Sequence, residues 1–236
     1  MYMTIDILVN GAGGKMGKAI LARVSFFKEI AGVLPVDMRN KNEGPSLVKK
    51  AAVIIDFTNP AAALEMAGYA FRNGKPFVTG TTGFSPAQLG KLSSFSKKIP
   101  VFVSPNMSPA VNLTFALSRI LAQKLDFDIH IHETHHKAKK DAPSGTALRY
   151  LKFIESAGKK ASVTSARIGD VTGEHILTFA GRGEKVVLSH TATSREIFAD
   201  GAIRAALWLA KKRPGLYDFF DLLGIKTVKR DWRGKR

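Results

Sequence analysis

The residues best suited to chemistry lie together in one segment, residues 133–147, which reads ETHHKAKKDAPSGTA. Its last part offers the hydroxyls of Ser144 and Thr146 and the backbone amides of a starting helix, groups that bind anions. Two histidines and three lysines precede them. One charge-assisted hydrogen bond contributes about 1.5 to 3 kcal/mol, less than the roughly 4 to 15 kcal/mol that association costs, so several must converge. The segment therefore predicts a site for a ligand with two negative charges.

The histidines of this region also allow a metal-binding interpretation, because neutral imidazole is a common ligand. His130 and His132 lie on a predicted strand, whereas His135 and His136 are adjacent in the loop that follows. No carboxylate pattern completes a recognised coordination motif, so we predict no metal site. The other alternative is an ordinary run of solvated charge.

A glycine-rich turn, GAGGKMG at residues 11–17, follows the first predicted strand and opens a helix. Gly11 and Gly13 permit a tight turn and close approach of the backbone to a pyrophosphate, whose charge the helix start favours. The third glycine is Gly17, one place later than in the usual G-x-G-x-x-G pattern, where Met16 stands. Such turns also serve as plain connectors, but the strand before and the helix after favour a nucleotide site.

An acidic residue supports the nucleotide interpretation. Asp37 ends the second predicted strand 20 residues beyond Gly17, where its carboxylate can accept hydrogen bonds from the adenine ribose hydroxyls. Arg39 and Lys41 follow at once and offer a 2′-phosphate site instead, although a solvated loop charge explains Arg39 equally well. The sequence therefore predicts NADH as cofactor, with NADPH tolerated.

The elements that must position these groups alternate through the first hundred residues. Short apolar runs predict strands, and apolar residues at three- and four-residue spacing predict helices. The strand candidates are 5–9, 30–36, 52–57, 76–79 and 100–103, and the helix candidates are 15–27, 60–72 and 86–97. This order predicts a parallel sheet with both faces covered, as in Rossmann-like domains.

The pattern changes after Asn106. A helix is predicted to about Leu125, and then Phe127, Ile129 and Ile131 alternate with polar residues as in a half-buried strand. Further strand candidates are 163–168, 175–179 and 185–190, and further helix candidates are 201–211 and 216–223. We therefore predict an α/β fold: a Rossmann-like parallel-sheet nucleotide-binding domain, completed by the last helix, plus a central α+β domain with a mixed or antiparallel sheet.

The composition narrows the classes of protein to consider. The 236 residues include 36 Lys and Arg against 19 Asp and Glu, a net charge of +17, and six of these basic residues lie in a predicted polar tail at 226–236. A diffuse positive surface is the simpler interpretation, and nucleic-acid binding is the alternative.

Because the chain has no cysteine, disulfides, thiolate catalysis and cysteine-ligated metals are excluded. No apolar run reaches the roughly 18 residues of a membrane span, and no secretory signal is evident, so we expect a cytoplasmic protein.

The segment at 133–147 is similar to the signature ExHHxxKxDAPSGTA of the dihydrodipicolinate reductase family, and the resemblance extends over almost the whole chain. The other stretches that agree are GAGGKMG at 11–17, Asp56–Thr58, Gly80–Gly83, Ser104–Ser108, Arg195 and Phe198–Ala202. The resemblance implies a dinucleotide-binding domain built from 1–106 and 195–236. It further implies a substrate-binding and oligomerisation domain over 107–194, and a homotetramer made through these central domains.

The resemblance also implies an activity. It is the reduction of 4-hydroxy-tetrahydrodipicolinate, or dihydrodipicolinate, to tetrahydrodipicolinate by hydride transfer from NADH or NADPH, in the diaminopimelate route to lysine. The cofactor supplies the hydride chemistry. Lys139 is the implied proton donor and His135 the competing acid, and the sequence does not separate the two.

Family motifs carry further roles onto this chain residue by residue. The residues implied to bind the substrate carboxylates are His136, Ser144, Gly145, Thr146 and Arg195. The residues implied to bind the cofactor are Gly11, Gly13, Gly14, Lys15, Met16, Gly17, Asp37, Arg39, Phe57, Thr58, Gly80, Thr81, Thr82, Ser104, Asn106 and Met107.

Three departures and two alternatives qualify this interpretation. The first domain lacks an insertion found in larger members, Ala138 stands where some members have a polar residue, and the basic tail exceeds what the family needs. One alternative is a basic nucleic-acid-binding protein on a nucleotide-binding scaffold, for which aromatic residues among the basic ones are expected, but the tail has only Trp232. The other is a related NAD(P)H reductase of another imine or aldehyde acid.

Overall fold

The computed structural model describes residues 4–226, which divide into two compact units. Unit 1 contains the described residues up to Ser108 together with Glu196–Leu222, and unit 2 contains Pro109–Arg195 together with residues 223–226. Apart from Lys226, the predicted basic tail lies outside the described residues. Among the helices of the described chain, none is both long and apolar enough to cross a membrane.

Ten strands and eight α-helices make up the two units, with 3₁₀ turns at Val24–Phe26 and Lys41–Glu43. The strands are β1 (Ile5–Asn10), β2 (Ile30–Val36), β3 (Val53–Asp56), β4 (Phe77–Thr79), β5 (Pro100–Val103), β6 (Asp128–His135), β7 (Ser162–Arg167), β8 (Gly173–Gly181), β9 (Glu184–Ala192) and β10 (Gly215–Tyr217). The α-helices are α1 (Lys15–Arg23), α2 (Gly44–Lys50), α3 (Pro60–Arg72), α4 (Pro86–Phe95), α5 (Pro109–Lys124), α6 (Gly145–Glu155), α7 (Glu196–Leu209) and α8 (Phe219–Leu222).

Unit 1 is built on a six-stranded parallel sheet in the order β10-β5-β4-β3-β1-β2. Every residue of β3, β4 and β5 is buried, as expected where helices cover a parallel sheet. Helix α1 packs on α7, which lies against β3, β4 and β5, while α3 packs between α2 and α4. Asn59 and Ser85 cap α3 and α4 through their side-chain oxygens, and a proline follows each cap.

Unit 2 is built on a four-stranded mixed sheet in the order β7-β6-β8-β9. Strands β6 and β7 are parallel because α6 crosses between them, whereas β8 is antiparallel to both β6 and β9. Helices α5 and α6 pack on each other, α5 contacts β8 and β9, and α6 contacts β6. The predicted fold class, a Rossmann-like α/β domain with a second domain of mixed sheet, is therefore confirmed.

The structure corrects several predicted element bounds. Helix α1 stops at Arg23 instead of residue 27, because Val24–Phe26 tightens into a 3₁₀ turn before extended Phe27. The predicted helix at 216–223 is partly wrong: β10 pairs with β5 at the sheet edge, and only α8 is helical. Strand β6 reaches His135, so this imidazole lies on a strand and not in a loop. Helix α2 and strand β10 were not anticipated, since each is short.

Gly17 provides a test of how α1 is joined to β1. A Cβ at Gly17 would lie 2.1 Å from the Gly11 carbonyl oxygen and 2.6 Å from the Ala12 Cα, both backbone atoms that cannot move aside. We expect Gly17→Ala to lower the free energy of unfolding by about 1 to 3 kcal/mol, the usual cost of overpacking. Urea unfolding followed by circular dichroism measures this loss.

Gly68 in α3 is the matched control. A Cβ there meets nothing closer than the Arg72 guanidinium at 3.5 Å. Gly68→Ala should therefore leave stability unchanged or raise it by up to about 1 kcal/mol, since alanine favours a helix over glycine. Equal stability of Gly17→Ala and the wild type would contradict the close packing of α1 on the turn.

Candidate active site

The glycine turn between β1 and α1 leaves room for a ligand beside the first backbone amides of α1. Gly11 has a φ of +85°, and a Cβ there would lie 2.6 Å from the Phe57 carbonyl oxygen. A Cβ at Gly13 would lie 3.2 Å from Asp37 Oδ2. Gly14 is the N-cap of α1 and supplies no side-chain capping bond. The glycines thus allow close approach to the backbone, and the helix start favours a phosphate charge, so these residues fit a dinucleotide.

A cleft of about 990 Å³ lies beside this turn in unit 1. Seven of the predicted cofactor residues line it: Gly11, Gly13, Gly14, Asp37, Arg39, Phe57 and Thr58. The cleft lies at the carboxyl ends of β1, β2 and β3, where open α/β sheets bind their ligands. Lys18, Lys41 and Tyr69 line it as well, and neither Lys18 nor Tyr69 was predicted to do so.

Asp37 and Arg39 form one hydrogen-bonded unit at the end of β2. The Arg39 backbone N donates to Asp37 Oδ1 at 2.8 Å, and its Nη2 donates to Oδ2 at 2.7 Å. These bonds from Arg39 lower the pKa of Asp37, so the carboxylate is charged and can accept hydrogen bonds from ribose hydroxyls. The Arg39 side chain is 89% exposed, so its charge is also accessible to a phosphate.

A buried carboxyl group connects the ends of β1, β3 and β4. Asp56 accepts from Asn10 Nδ2 at 2.6 Å, from Thr58 Oγ1 at 2.9 Å and from Thr81 Oγ1 at 2.7 Å. Burial raises the pKa of Asp56, and the hydrogen bonds offset only part of that effect. Because the Thr58 amide also donates to Thr81 Oγ1 at 2.9 Å, this network fixes the loops after β3 and β4 relative to each other.

The other predicted cofactor residues lie in unit 1 but do not line the cleft: Lys15, Met16, Gly17, Gly80, Thr81, Thr82, Ser104, Asn106 and Met107. Thr81 belongs to the Asp56 network, and Gly17, Gly80 and Ser104 also have a structural role. Gly17 packs on the turn, and the lack of a Cβ at Gly80 leaves space for the Phe57 ring. Ser104 Oγ donates to the Asn106 carbonyl oxygen at 2.7 Å and shapes the loop after β5.

Unit 2 contains a second polar group, which we call the Glu133 cluster: Glu133, His135, Ser144, Arg167 and His175. Its centre is the Glu133 carboxylate, which is 0% exposed. Oε1 accepts from the Ser144 backbone N at 3.1 Å and from Arg167 Nη2 at 2.8 Å. Oε2 accepts from Arg167 Nη1 at 3.0 Å and also contacts His135 Nδ1. Burial alone would raise the pKa of Glu133, but the hydrogen bonds from Arg167 and its neighbours lower it to about 2.

His135 occupies the inward side of β6, directly after Glu133 on the same face. A charged carboxylate only accepts hydrogen bonds, so His135 Nδ1 carries the proton of the bond to Glu133. Nε2 is the ring nitrogen that this bond leaves available. A Cβ at Gly173 would lie 3.0 Å from Nε2, so the glycine keeps space beside that atom. Burial lowers the pKa of His135, against the opposing effect of Glu133, which favours a neutral ring at pH 7.

Lys139 lies in the loop after β6 and is paired with a carboxylate. Its Nζ donates to Asp141 Oδ1 at 2.7 Å and Oδ2 at 2.9 Å. The Lys139 hydrogen bond is the main cause of a lowered Asp141 pKa, and the backbone N–H of Gly145 adds to it. The Asp141 carbonyl oxygen in turn accepts from Arg167 Nη2. The loop therefore binds a carboxylate with an ammonium group and a helix-start amide.

The structure gives Ser144 a different environment from the one predicted. The residue is 1% exposed and forms the N-cap of α6, where its Oγ accepts from the Ala147 N at 3.1 Å. The same oxygen lies 3.2 Å from Nε2 of His175, whose pKa burial lowers to about 3. The Ser144 hydroxyl and Nε2 of neutral His175 therefore share a hydrogen bond. The Ser144 hydroxyl is thus used inside the protein, and exposed Gly145 and half-buried Thr146 are the residues of this helix start that a ligand reaches.

The remaining predicted residues lie in different places. His136 follows β6 and is half-buried, whereas Arg195 is exposed between β9 and α7 and contributes none of the bonds of the Glu133 cluster described above. His130 and His132 lie on the other side of β6, where they hydrogen bond to Ser162 and Thr164 of β7. Within residues 4–226, no group of three or more His, Asp or Glu side chains is arranged to hold a metal ion.

Sequence reasoning missed Glu133, Arg167 and His175 as site residues. A signal for one of them was present: Glu133, like His135, continues the inward alternation of Ile129 and Ile131 along β6. A carboxylate and an imidazole at buried positions of a strand indicate an internal polar network. No comparable signal marks Arg167, which lies 34 residues from Glu133 in sequence.

The low pKa of Glu133 generates a prediction about stability and pH. A carboxyl group whose pKa is about 2 in the folded protein and near 4.5 when unfolded stabilises the fold above pH 4.5, and this contribution is lost as the pH falls toward 2. We expect Glu133→Gln to be less stable than the wild type near neutral pH, with a difference that shrinks steadily in acid. Chemical unfolding across this pH range measures the effect.

Glu155→Gln, which changes an exposed residue of α6, is the control and should show no such pH-dependent difference. A constant difference between Glu133→Gln and the wild type at every pH would show that Glu133 does not carry the buried charge described above.

Comparison with known proteins matches both halves of the chain to one family. The family model described as "Dihydrodipicolinate reductase, N-terminus" matches residues 5–107, and "Dihydrodipicolinate reductase, C-terminus" matches residues 110–223. A 4-hydroxy-tetrahydrodipicolinate reductase of Syntrophotalea carbinolica is 35% identical, and the match covers 94% of this chain and 100% of the relative. The enzyme of the same name from Aquifex aeolicus is 37% identical with the same coverage.

Solved structures show the same fold. A dipicolinate-bound dihydrodipicolinate reductase from Paenisporosarcina sp. TG-14 superimposes with a TM-score of 0.81 at 22% identity, covering 94% of this chain and 100% of that chain. A probable dehydrogenase from Thermotoga maritima has a TM-score of 0.62 at 9% identity, covering 92% of each chain. None of these relatives is described as a nucleic-acid-binding protein, so they give that alternative no support. From the two family matches and the full-length relatives, we conclude that the chain belongs to the dihydrodipicolinate reductase family.

Proposed function

We propose that the chain reduces 4-hydroxy-tetrahydrodipicolinate to tetrahydrodipicolinate with NADH or NADPH, in the diaminopimelate route to lysine. The observation that carries the proposal is that the loop after β6 already binds a carboxylate, the side chain of Asp141, through Lys139 Nζ and the Gly145 amide. A substrate carboxylate uses the same donors once it displaces Asp141. The family consists of NAD(P)H-dependent oxidoreductases, and its N-terminal domain binds the dinucleotide.

The cofactor roles are assigned to a dinucleotide-binding domain over 1–106 and 195–236, and the residues that carry them lie in unit 1. Gly11, Gly13 and Gly14 hold the pyrophosphate, with Lys15, Met16 and Gly17 forming the helix start behind it. Asp37 accepts the ribose hydroxyls of NADH, and exposed Arg39 pairs with the 2′-phosphate of NADPH. The residues proposed for the nicotinamide side are Thr58, Gly80 and Thr82, and Asn106 is proposed for the join near the substrate. The further proposed cofactor residues are Phe57, Thr81, Ser104 and Met107. When bound, the reduced nicotinamide supplies the hydride.

Residues of the 107–194 region, together with Arg195, bind the substrate, and this region supplies the proton. Lys139 is the proton donor, because its ammonium group lies at the carboxylate-binding loop. The burial that lowers the pKa of His135 favours the neutral ring, which suits Nε2 to accepting a hydrogen bond. The carboxylates of the substrate bind Gly145 and Thr146 at the start of α6, with His136 and Arg195 supporting them. Buried Ser144 caps this helix start from inside the protein.

The proposal also includes the assembly and the location of the protein. We propose a homotetramer formed through the central region, as the resemblance to the family implies. Light scattering of the purified protein tests it. A cytoplasmic location is proposed from the family membership.

The direct test of the function follows oxidation of the reduced cofactor by its absorbance. The substrate is generated enzymatically, and NADH and NADPH are compared under the same conditions. Substrate-dependent oxidation of either cofactor supports the proposal. Absence of oxidation with both would contradict it.

The role of Lys139 gives a sharper prediction. Lys139→Ala should lower kcat by about 10²- to 10⁴-fold, the usual contribution of a general acid, with a much smaller change in KM for the cofactor. Lys140→Ala, which removes the adjacent exposed lysine, is the matched control and should stay within a few-fold of the wild type. If Lys139→Ala also keeps kcat within a few-fold of the wild type, Lys139 is not the proton donor.

A further inference from the structure

We infer that the ion pair of Glu133 and Arg167 is a positioning device, which fixes the direction of the His135 imidazole and holds the start of α6 beside it. This inference rests on the proposed reductase function and adds two residues to it. Neither Glu133 nor Arg167 is assigned a contact with the substrate. Each acts through another residue, so both are positioning residues.

The geometry of the pair joins three separate segments. Arg167 at the end of β7 presents Nη1 to Glu133 Oε2 and Nη2 to Oε1, at 3.0 and 2.8 Å, in a two-pronged fork. The same two carboxylate oxygens accept two further hydrogen bonds. Oε2 accepts from His135 Nδ1 of β6, and Oε1 accepts from the Ser144 backbone N at the start of α6. One buried carboxylate therefore sets the relative position of β6, β7 and α6.

The first consequence concerns His135. Its ring cannot turn over without breaking the bond between Nδ1 and Glu133, which would leave a buried carboxylate short of one donor. With Nδ1 committed, Nε2 points to the space that Gly173 leaves open. The direction in which His135 meets a ligand is thus decided by Glu133, and the direction of Glu133 is decided by the planar guanidinium of Arg167.

The second consequence concerns the carboxylate-binding loop. Arg167 Nη2 also donates to the Asp141 carbonyl oxygen, and Glu133 holds the Ser144 amide. The backbone is therefore fixed at Asp141 and at Ser144, on either side of residues 142–143. Helix α6 begins at the next residue, Gly145. Loss of Arg167 would release the loop and the imidazole together.

A merely stabilising role explains this arrangement poorly. A buried ion pair gains little net stability over an apolar pair of similar volume, because both charges lose their hydration. The arrangement does, however, hold groups in place to within the tolerance that catalysis needs, since a displacement of about 1 Å costs on the order of 100-fold in rate.

The test uses the full-length chain with Glu133→Gln and Arg167→Met, together with Arg182→Met in the exposed turn between β8 and β9 as the matched control. The midpoint of the His135 ring titration is followed by NMR. Glu133 favours the charged ring and Arg167 disfavours it, so we expect the midpoint to fall in Glu133→Gln and to rise in Arg167→Met. The control should match the wild type.

Kinetics provide the second readout. Both variants should lower kcat by on the order of 10- to 100-fold, with KM for NADH changing by much less, because unit 1 is untouched. Arg167→Lys serves where Arg167→Met does not fold. It keeps a positive charge beside Glu133 but replaces the planar fork, so the His135 midpoint should stay near the wild-type value while kcat still falls.

The outcomes separate this inference from the proposed function. A wild-type protein that turns over while Glu133→Gln and the Arg167 variants keep its kcat would overturn the inference alone, as would midpoints that move in the same direction in Glu133→Gln and Arg167→Met. A wild-type protein without turnover would contradict the proposed function, and opposite shifts of the midpoint would then still support the positioning of His135 by this pair.

Discussion

The carboxylate of Glu133, which is fully buried on the inward side of β6, is the constraint on which the rest of unit 2 depends. An unpaired charge in that position would cost several kcal/mol, so a cation and further donors must surround it. Arg167 meets this need only because β7 runs parallel to β6 with Arg167 opposite His135. The crossover helix α6 that makes the two strands parallel also brings the Ser144 amide to Glu133. Fold and site are therefore consequences of the same pairing.

Asp56 in unit 1 shows what happens to a buried carboxyl group without a cation among its hydrogen-bonding partners. Its partners are the hydroxyls of Thr58 and Thr81 and the amide of Asn10, all neutral, so burial raises its pKa. Glu133 has a guanidinium partner and a pKa of about 2. The two groups hold loops in the same way but differ in charge, which suits Asp56 to a structural role and Glu133 to setting the protonation of a neighbouring imidazole.

Much of the fold could be predicted from the sequence, because the parallel strands are continuous apolar runs and the helices start at proline after a capping residue. The glycine turn and Asp37 were also readable, since their spacing is local. Long-range pairing was not. Nothing in the sequence indicated that β7 would pair parallel to β6, so Arg167 could not be assigned to Glu133, and Ser144 was predicted to offer its hydroxyl outward although that group caps α6 inside the protein. The local signals that pointed to Glu133 were the alternation of β6 and its position at the head of the 133–147 segment.

A crystal structure of the protein with dipicolinate tests the central claim most directly, namely that the loop after β6 is a carboxylate site held in place by Glu133. The account predicts that a ligand carboxylate takes the place of Asp141 at Lys139 Nζ and at the start of α6. It also predicts that Glu133 keeps its bonds to Arg167, His135 and Ser144. Dipicolinate bound at another place with the pair of Lys139 and Asp141 intact would contradict it.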